Sequence, residues 1–66
     1  MQVNVNGEVK QLPENCTVTQ LLEVMEITGK RIAVEVNEDI VPRSLHETTL
    51  LYEGDVVEIV QAIGGG

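Results

Sequence analysis

The chain has 66 residues and a formal net charge of −7, from eleven Asp and Glu against four Lys and Arg. A domain this short buries only about 60% of the surface its unfolded chain exposes, which leaves little room for both a core and an enclosed active-site pocket. A negative surface opposes binding to phosphate backbones and anionic lipid and favours basic protein partners, so nucleic-acid and membrane roles are set aside.

Met1, Val3 and Val5 alternate with Gln2 and Asn4, a strand pattern, and Asn6-Gly7 follows as a tight-turn dipeptide. The second strand is expected over roughly Glu8 to Leu12. A two-residue loop would set Val5 opposite Glu8; a three-residue Asn6-Gly7-Glu8 loop sets Val5 opposite Val9 and keeps apolar with apolar, so the second register is preferred. Pro13 closes the strand, lacking an N–H for the ladder. Thr17 with Gln20 three positions on reads as a capping box, and Val18, Leu21, Leu22 and Met25 form one apolar helical stripe. Gln20, Glu23 and Glu26 then face water, and Gly29 is the expected helix stop.

Ile32, Val34 and Val36 alternate with Ala33 and Glu35 as a third strand, turned by Asn37-Glu38-Asp39. Ile40 and Val41 make a short strand that Pro42 confines to an edge. Ser44 to Thr49 is polar enough for a loop or one helical turn, anchored by Leu45. Glu53-Gly54-Asp55 turns the chain into a last strand with Val57 and Ile59 inward and Val56, Glu58 and Val60 outward. Eleven Val and five Ile suit pleated strands. The order β, β, α, β, β, β predicts an α+β fold of β-grasp type: a mixed sheet of four to five strands packed on one helix. The helix stripe should meet Val3, Val5, Ile32, Val34, Val57 and Ile59.

The chain ends in Gly64, Gly65 and Gly66. At a Gly frequency near 7%, three in a row at a given end arise by chance on the order of 3 in 10,000, so the triplet is a candidate site. Residues 1–63 are expected to form the domain and 64–66 a flexible tail. Gly has no Cβ, so such a tail can thread a channel too narrow for side chains and present the Gly66 carboxylate. From Ile63 to Gly66 the extended reach is on the order of 13 Å. A carboxylate resists nucleophiles until it is converted to an acyl-adenylate; the carbonyl can then accept sulfur from a thiolate or persulfide, or nitrogen from a lysine.

The ending Glu53-Gly54-Asp55-x-Val57-Glu58-Ile59-Val60-x-x-x-Gly64-Gly65-Gly66 carries a family resemblance. So do Thr17-Val18-x-x-Leu21-Leu22 and Asn37-x-x-Ile40-Val41-Pro42-Arg43. Over nearly its whole length the chain resembles the ThiS sulfur carriers of thiamine biosynthesis, which are ubiquitin-like β-grasp proteins. The resemblance implies a carrier and co-substrate, not an enzyme, whose Gly66 carboxylate is adenylated by a ThiF-like activating enzyme. That enzyme supplies the ATP and metal; this chain binds no cofactor. A persulfide protein then delivers sulfur to make a thiocarboxylate, which a ThiG-like thiazole synthase uses. Gly65 and Gly66 match the family's functional end, Gly64 adds one glycine to the barest pattern, and Arg43 falls in a motif without an assigned role. Carriers for molybdopterin, cysteine or tRNA thiolation, a lysine-conjugating ubiquitin-like modifier, and a plain binding module with an idle tail are the alternatives.

Val56, Glu58, Val60, Ala62 and Ile63 form a candidate partner-docking surface, unless a neighbouring loop covers it. Glu53, Asp55 and Glu58 are either solvated charges or steer a basic partner. Cys16 precedes the helix cap, where an apolar residue packs against the fourth helical position, here Leu21, so packing outweighs thiol chemistry. Ser44, His46 and Asp39 or Asp55 lack an oxyanion loop for a hydrolytic triad, and His46 is read as a surface residue. One Cys and one His cannot supply a zinc cluster, so no metal is expected. A single Cys, with neither a signal peptide nor a spanning segment legible, points to the cytoplasm. The free carrier is expected to be monomeric.

Overall fold

The computed structural model describes residues 1–29 and 31–61. Strands β1 (Gln2–Val5), β2 (Glu8–Gln11), β3 (Ile32–Val36), β4 (Asp39–Val41) and β5 (Val56–Gln61) form one five-stranded sheet in the order β2-β1-β5-β3-β4. The β1·β5 pair is parallel and the other three pairs are antiparallel, so the last strand lies at the centre of a mixed sheet. One helix, α1 (Val18–Val24), supplies the second layer. The expected element order holds throughout.

The capping box at Thr17 is complete: Gln20 N donates to Thr17 Oγ1 at 3.2 Å and Thr17 N to Gln20 Oε1 at 2.9 Å. The next orphan donors of the helix start, Val18 N and Thr19 N, reach Thr49 O and His46 O, both at 3.0 Å. A buried helix end thus has every early N–H satisfied, partly by a segment almost 30 residues further along the chain. At the other end the left-handed residue is Glu26 (φ 59) rather than Gly29. Glu26 N donates to Glu23 O at 3.0 Å and Ile27 N to Leu22 O at 2.9 Å, the bond pair of a Schellman turn. The helix therefore stops before the glycine expected to stop it. Ile27, one residue past the turn, is partly buried against the core and ties the chain down without any need for Gly at the cap.

Val18, Leu21 and Leu22 of α1 lie buried against Val3, Val5, Val34, Val57 and Ile59 of the sheet, with Met25 and Ile32 partly buried beside them. Leu12, Cys16 and Leu51 complete the core. The first hairpin departs from the preferred register. Val5 pairs with Glu8 and Asn4 with Val9, through a two-residue turn in which Asn6 (φ 50) and Gly7 (φ 85) both take positive φ. Those angles are what a type I′ turn requires, and β2 is an edge strand with no buried residue to argue for another register, so turn chemistry decides. The second hairpin is equally tight: Val36 pairs with Asp39, leaving only Asn37 (φ 52) and Glu38 (φ 72) in the turn. After β4, which sits at the sheet edge as Pro42 demands, Arg43–Leu45 forms a 3₁₀ turn. Its anchor is His46, which is buried, whereas Leu45 is exposed.

Candidate functional site

β5 is the strand that leads in sequence towards Gly66, and the fold holds it from both sides. On one flank Val5 pairs with Val57, and Asn6 N donates to Val57 O at 2.9 Å. Beyond the end of β1 the Asn6 side chain takes over the ladder. Its Oδ1 accepts from Ile59 N at 2.8 Å and its Nδ2 donates to Ile59 O at 3.2 Å. On the other flank Asn37 Oδ1 accepts from Val56 N at 2.9 Å, Asn37 N donates to Val56 O at 2.7 Å, and Asn37 Nδ2 donates to Asp55 Oδ1 at 3.0 Å. Two asparagines, each in a turn at positive φ, thus act as side-chain extensions of the sheet. Sequence reading identified both as turn residues and missed this second role, because a side-chain amide mimics a backbone only where another strand lies within reach.

The direction of each β5 side chain follows from this pairing. Val57 and Ile59 are buried, while Val56 and Val60 are 48% and 64% exposed on the outward face with Glu58 between them. The neighbours across the outward face are Ala33 opposite Val60, Glu35 opposite Glu58, and Ile40 in turn opposite Glu35. Gln61, the last residue described, pairs with Ile32, and its Nε2 donates to Thr28 O at 3.0 Å. Ala62 and Ile63 of the candidate docking surface, and Gly64, Gly65 and Gly66, lie outside the described residues.

Two of the three acids considered for steering are built into turns. Glu53 Oε1 accepts from Gln2 N at 2.9 Å, and Asp55 Oδ2 accepts from Tyr52 N at 2.8 Å. They fix the approach to β5, and of the three only Glu58 faces outward from the sheet. His46 corrects the expectation of a surface residue: its Nε2 lies 3.1 Å from Val41 O and its own carbonyl accepts from the helix start. It joins the edge strand to the helix, while the Asp55 carboxylate is occupied by Tyr52 and Asn37. Cys16 is buried in the core cluster with Leu21, and loss of hydration pushes its thiol above the ordinary value of 9.0, which disfavours the thiolate. Among the described residues no group of three His, Cys, Asp or Glu is arranged to hold a metal ion. No described helix is long and apolar enough to cross a membrane.

One helix clasped by a mixed sheet with the last strand at its centre defines a ubiquitin-like β-grasp domain. A sequence model of the ThiS family matches residues 3–66. The chain is 32% identical over 66 residues to the sulfur carrier protein ThiS of Escherichia coli K12, covering 100% of both chains. It is 38% identical over 66 residues to a thiazole synthase of Paramagnetospirillum magneticum; that match takes in 100% of this chain but only 20% of the synthase. The crystal structure of the thiamine biosynthesis protein ThiS from Geobacter metallireducens superposes with a TM-score of 0.84 at 30% identity, covering 100% of both chains. The chain belongs to the ThiS family, a family of small sulfur carriers rather than catalysts.

Proposed function

We propose that this protein is a sulfur carrier of thiamine biosynthesis in which the Gly66 carboxylate is the reacting group. The observation that carries the reading is the end-to-end correspondence with ThiS sulfur carriers, in a family match that runs through residue 66. In this reading a ThiF-like enzyme, holding ATP and its metal, adenylates the carboxylate with release of pyrophosphate. The outer sulfur of a persulfide protein displaces AMP to give an acyl disulfide; a thiol reductant then cleaves its S–S bond, leaving the donor sulfur in a disulfide with that thiol, and the thiocarboxylate so released donates its sulfur to a ThiG-like thiazole synthase. The likeness to a segment of a thiazole synthase supports the last partner. The folded domain contributes docking energy through the outward face of Val56, Glu58 and Val60, and Ala62 and Ile63, which follow in sequence, add to the contact. Remote binding thereby assists a step that the terminal glycines cannot perform alone. Residues 64–66 act as a threading arm, and the carrier works in the cytoplasm.

The test is intact mass after incubation with the adenylating enzyme, ATP, a persulfide donor and a thiol reductant. The expected result is a gain equal to exchanging one oxygen for one sulfur, abolished when Gly65 and Gly66 are deleted. Absence of the gain, with an enzyme that modifies Escherichia coli ThiS in parallel, overturns the proposal. Conjugates at lysines of other proteins would point instead to a protein modifier.

A further inference from the structure

Glu58 of β5 and Glu35 of β3 are directly opposed in the antiparallel ladder, on the face away from α1. Residues so placed hold their Cβ atoms about 4.5–5.5 Å apart, and like charges there oppose pairing of the strands. Among the described strand residues the outward face carries no cation to relieve them, since Lys10 of β2 pairs with buried Val3 and so lies on the α1 side. Among the described residues neither carboxylate takes an ion pair or a hydrogen bond. Arg31, the described cation just ahead of β3, lies four residues from Glu35, roughly 13 Å along an extended chain, and already has a partner. The surround is apolar: Val56 and Val60 flank Glu58 along β5, Ala33 faces Val60, and Ile40, opposite Glu35, is 73% exposed. Folding alone would favour neutral residues at both acidic positions.

We propose that this face docks a partner protein through one arginine of the partner seated between Glu35 and Glu58, with apolar side chains of the partner resting on Val56, Val60 and Ile40. A planar guanidinium carries five donors and can bridge two neighbouring carboxylates, where an ammonium acts as a single point charge. Binding relieves the repulsion that the free sheet bears. A second copy of this chain does not fit, because its net charge of −7 and its own acidic pair would oppose the contact. The inference rests on the carrier reading above and names the chemistry of the partner's surface. Val60 is six residues from Gly66, at most about 22 Å of extended chain, so a partner held here lies within reach of the reacting carboxylate.

Steady-state adenylation by the activating enzyme, measured against carrier concentration, tests it with wild type and the E35Q/E58Q double variant. The double variant should raise KM roughly tenfold or more, with a much smaller change in kcat, and should melt at the same or a higher temperature than wild type. The wild-type KM should climb with salt and that of the variant should not. A variant-free measurement accompanies it: adding unlabelled enzyme to isotopically labelled wild-type carrier should shift or broaden the amide signals of Ala33, Glu35 and Val56 to Val60. A KM indifferent to both substitutions, or amide changes confined to α1, overturns the docking proposal. So does self-association of the wild type that E35Q/E58Q abolishes, since a second copy then occupies the face. Failure of the wild type to be adenylated at all sinks the carrier reading instead, and the two failures are thereby separated.

Discussion

Cys16 shows how a single residue is settled by its surroundings. Its position before the capping box predicted packing, and burial carries that out while pushing the thiol up from 9.0. The sign of the pH effect follows. A group whose folded value is raised gives stability that is whole below the unfolded value and is lost as pH climbs towards the folded one. The unfolded thiol ionises near 9.0 and the folded one later, so the melting temperature should begin to fall above that pH. The Cys16→Ala variant should lack this component of the alkaline slope, as calorimetry across pH 8 to about 10 would read. The native thiol should also react slowly with a disulfide reagent until the chain unfolds. His46 is the opposite lesson. Its neighbours in sequence are polar, so nothing local marks it as buried; its site is made by Val41 and the start of α1 meeting across the chain.

At the scale of the element, the helix start was legible in full and the hairpins only in part. Thr17 and Gln20 are four-residue neighbours whose hydrogen bonds need no distant partner, which is why the capping box appears as read. Thr17→Ala should cost about 1 kcal/mol, a fall in melting temperature of about 4–8 °C for a domain of this size. Asn6 has two duties that substitution can separate. Asn6→Gly keeps the positive φ and removes only the amide clamp on Ile59, whereas Asn6→Ala also strains the turn. Both should speed hydrogen exchange at the Ile59 amide, and the alanine variant should be the less stable by about 1–2 kcal/mol in urea unfolding. Equal stabilities would remove the turn-strain part of the account. The first hairpin takes the register of its two-residue turn rather than that of apolar pairing, because β2 buries nothing that would reward the apolar match.

For the whole molecule, charge is the property that composition alone establishes. Eleven acids against four bases on a small compact body give self-repulsion that unfolding relieves. Raising ionic strength from about 0.01 to 0.15 M shortens the screening length from about 30 to 8 Å and should raise the melting temperature. A fall would show that specific ion pairs outweigh the net repulsion. Part of that negative charge, the Glu35 and Glu58 pair, lies on the outward sheet face and gives it a preference among protein partners that its apolar residues alone would not.

What the sequence by itself determined are the properties carried by local period and local chemistry. These are the alternation of β1, β3 and β5, the stripe and cap of α1, the edge position of β4, and the glycine ending with its family resemblance. Each rests on residues within a turn or two of one another, or on a motif read as a string. Only the tertiary structure decided that Glu35 stands opposite Glu58, that Asn6 and Asn37 grip β5, and that His46 lies inside. The strand relations join residues 19 to 53 positions apart, and His46 is tied both to nearby Val41 and to the distant helix start; their meeting is set by strand order and packing together and leaves no periodic trace in the chain.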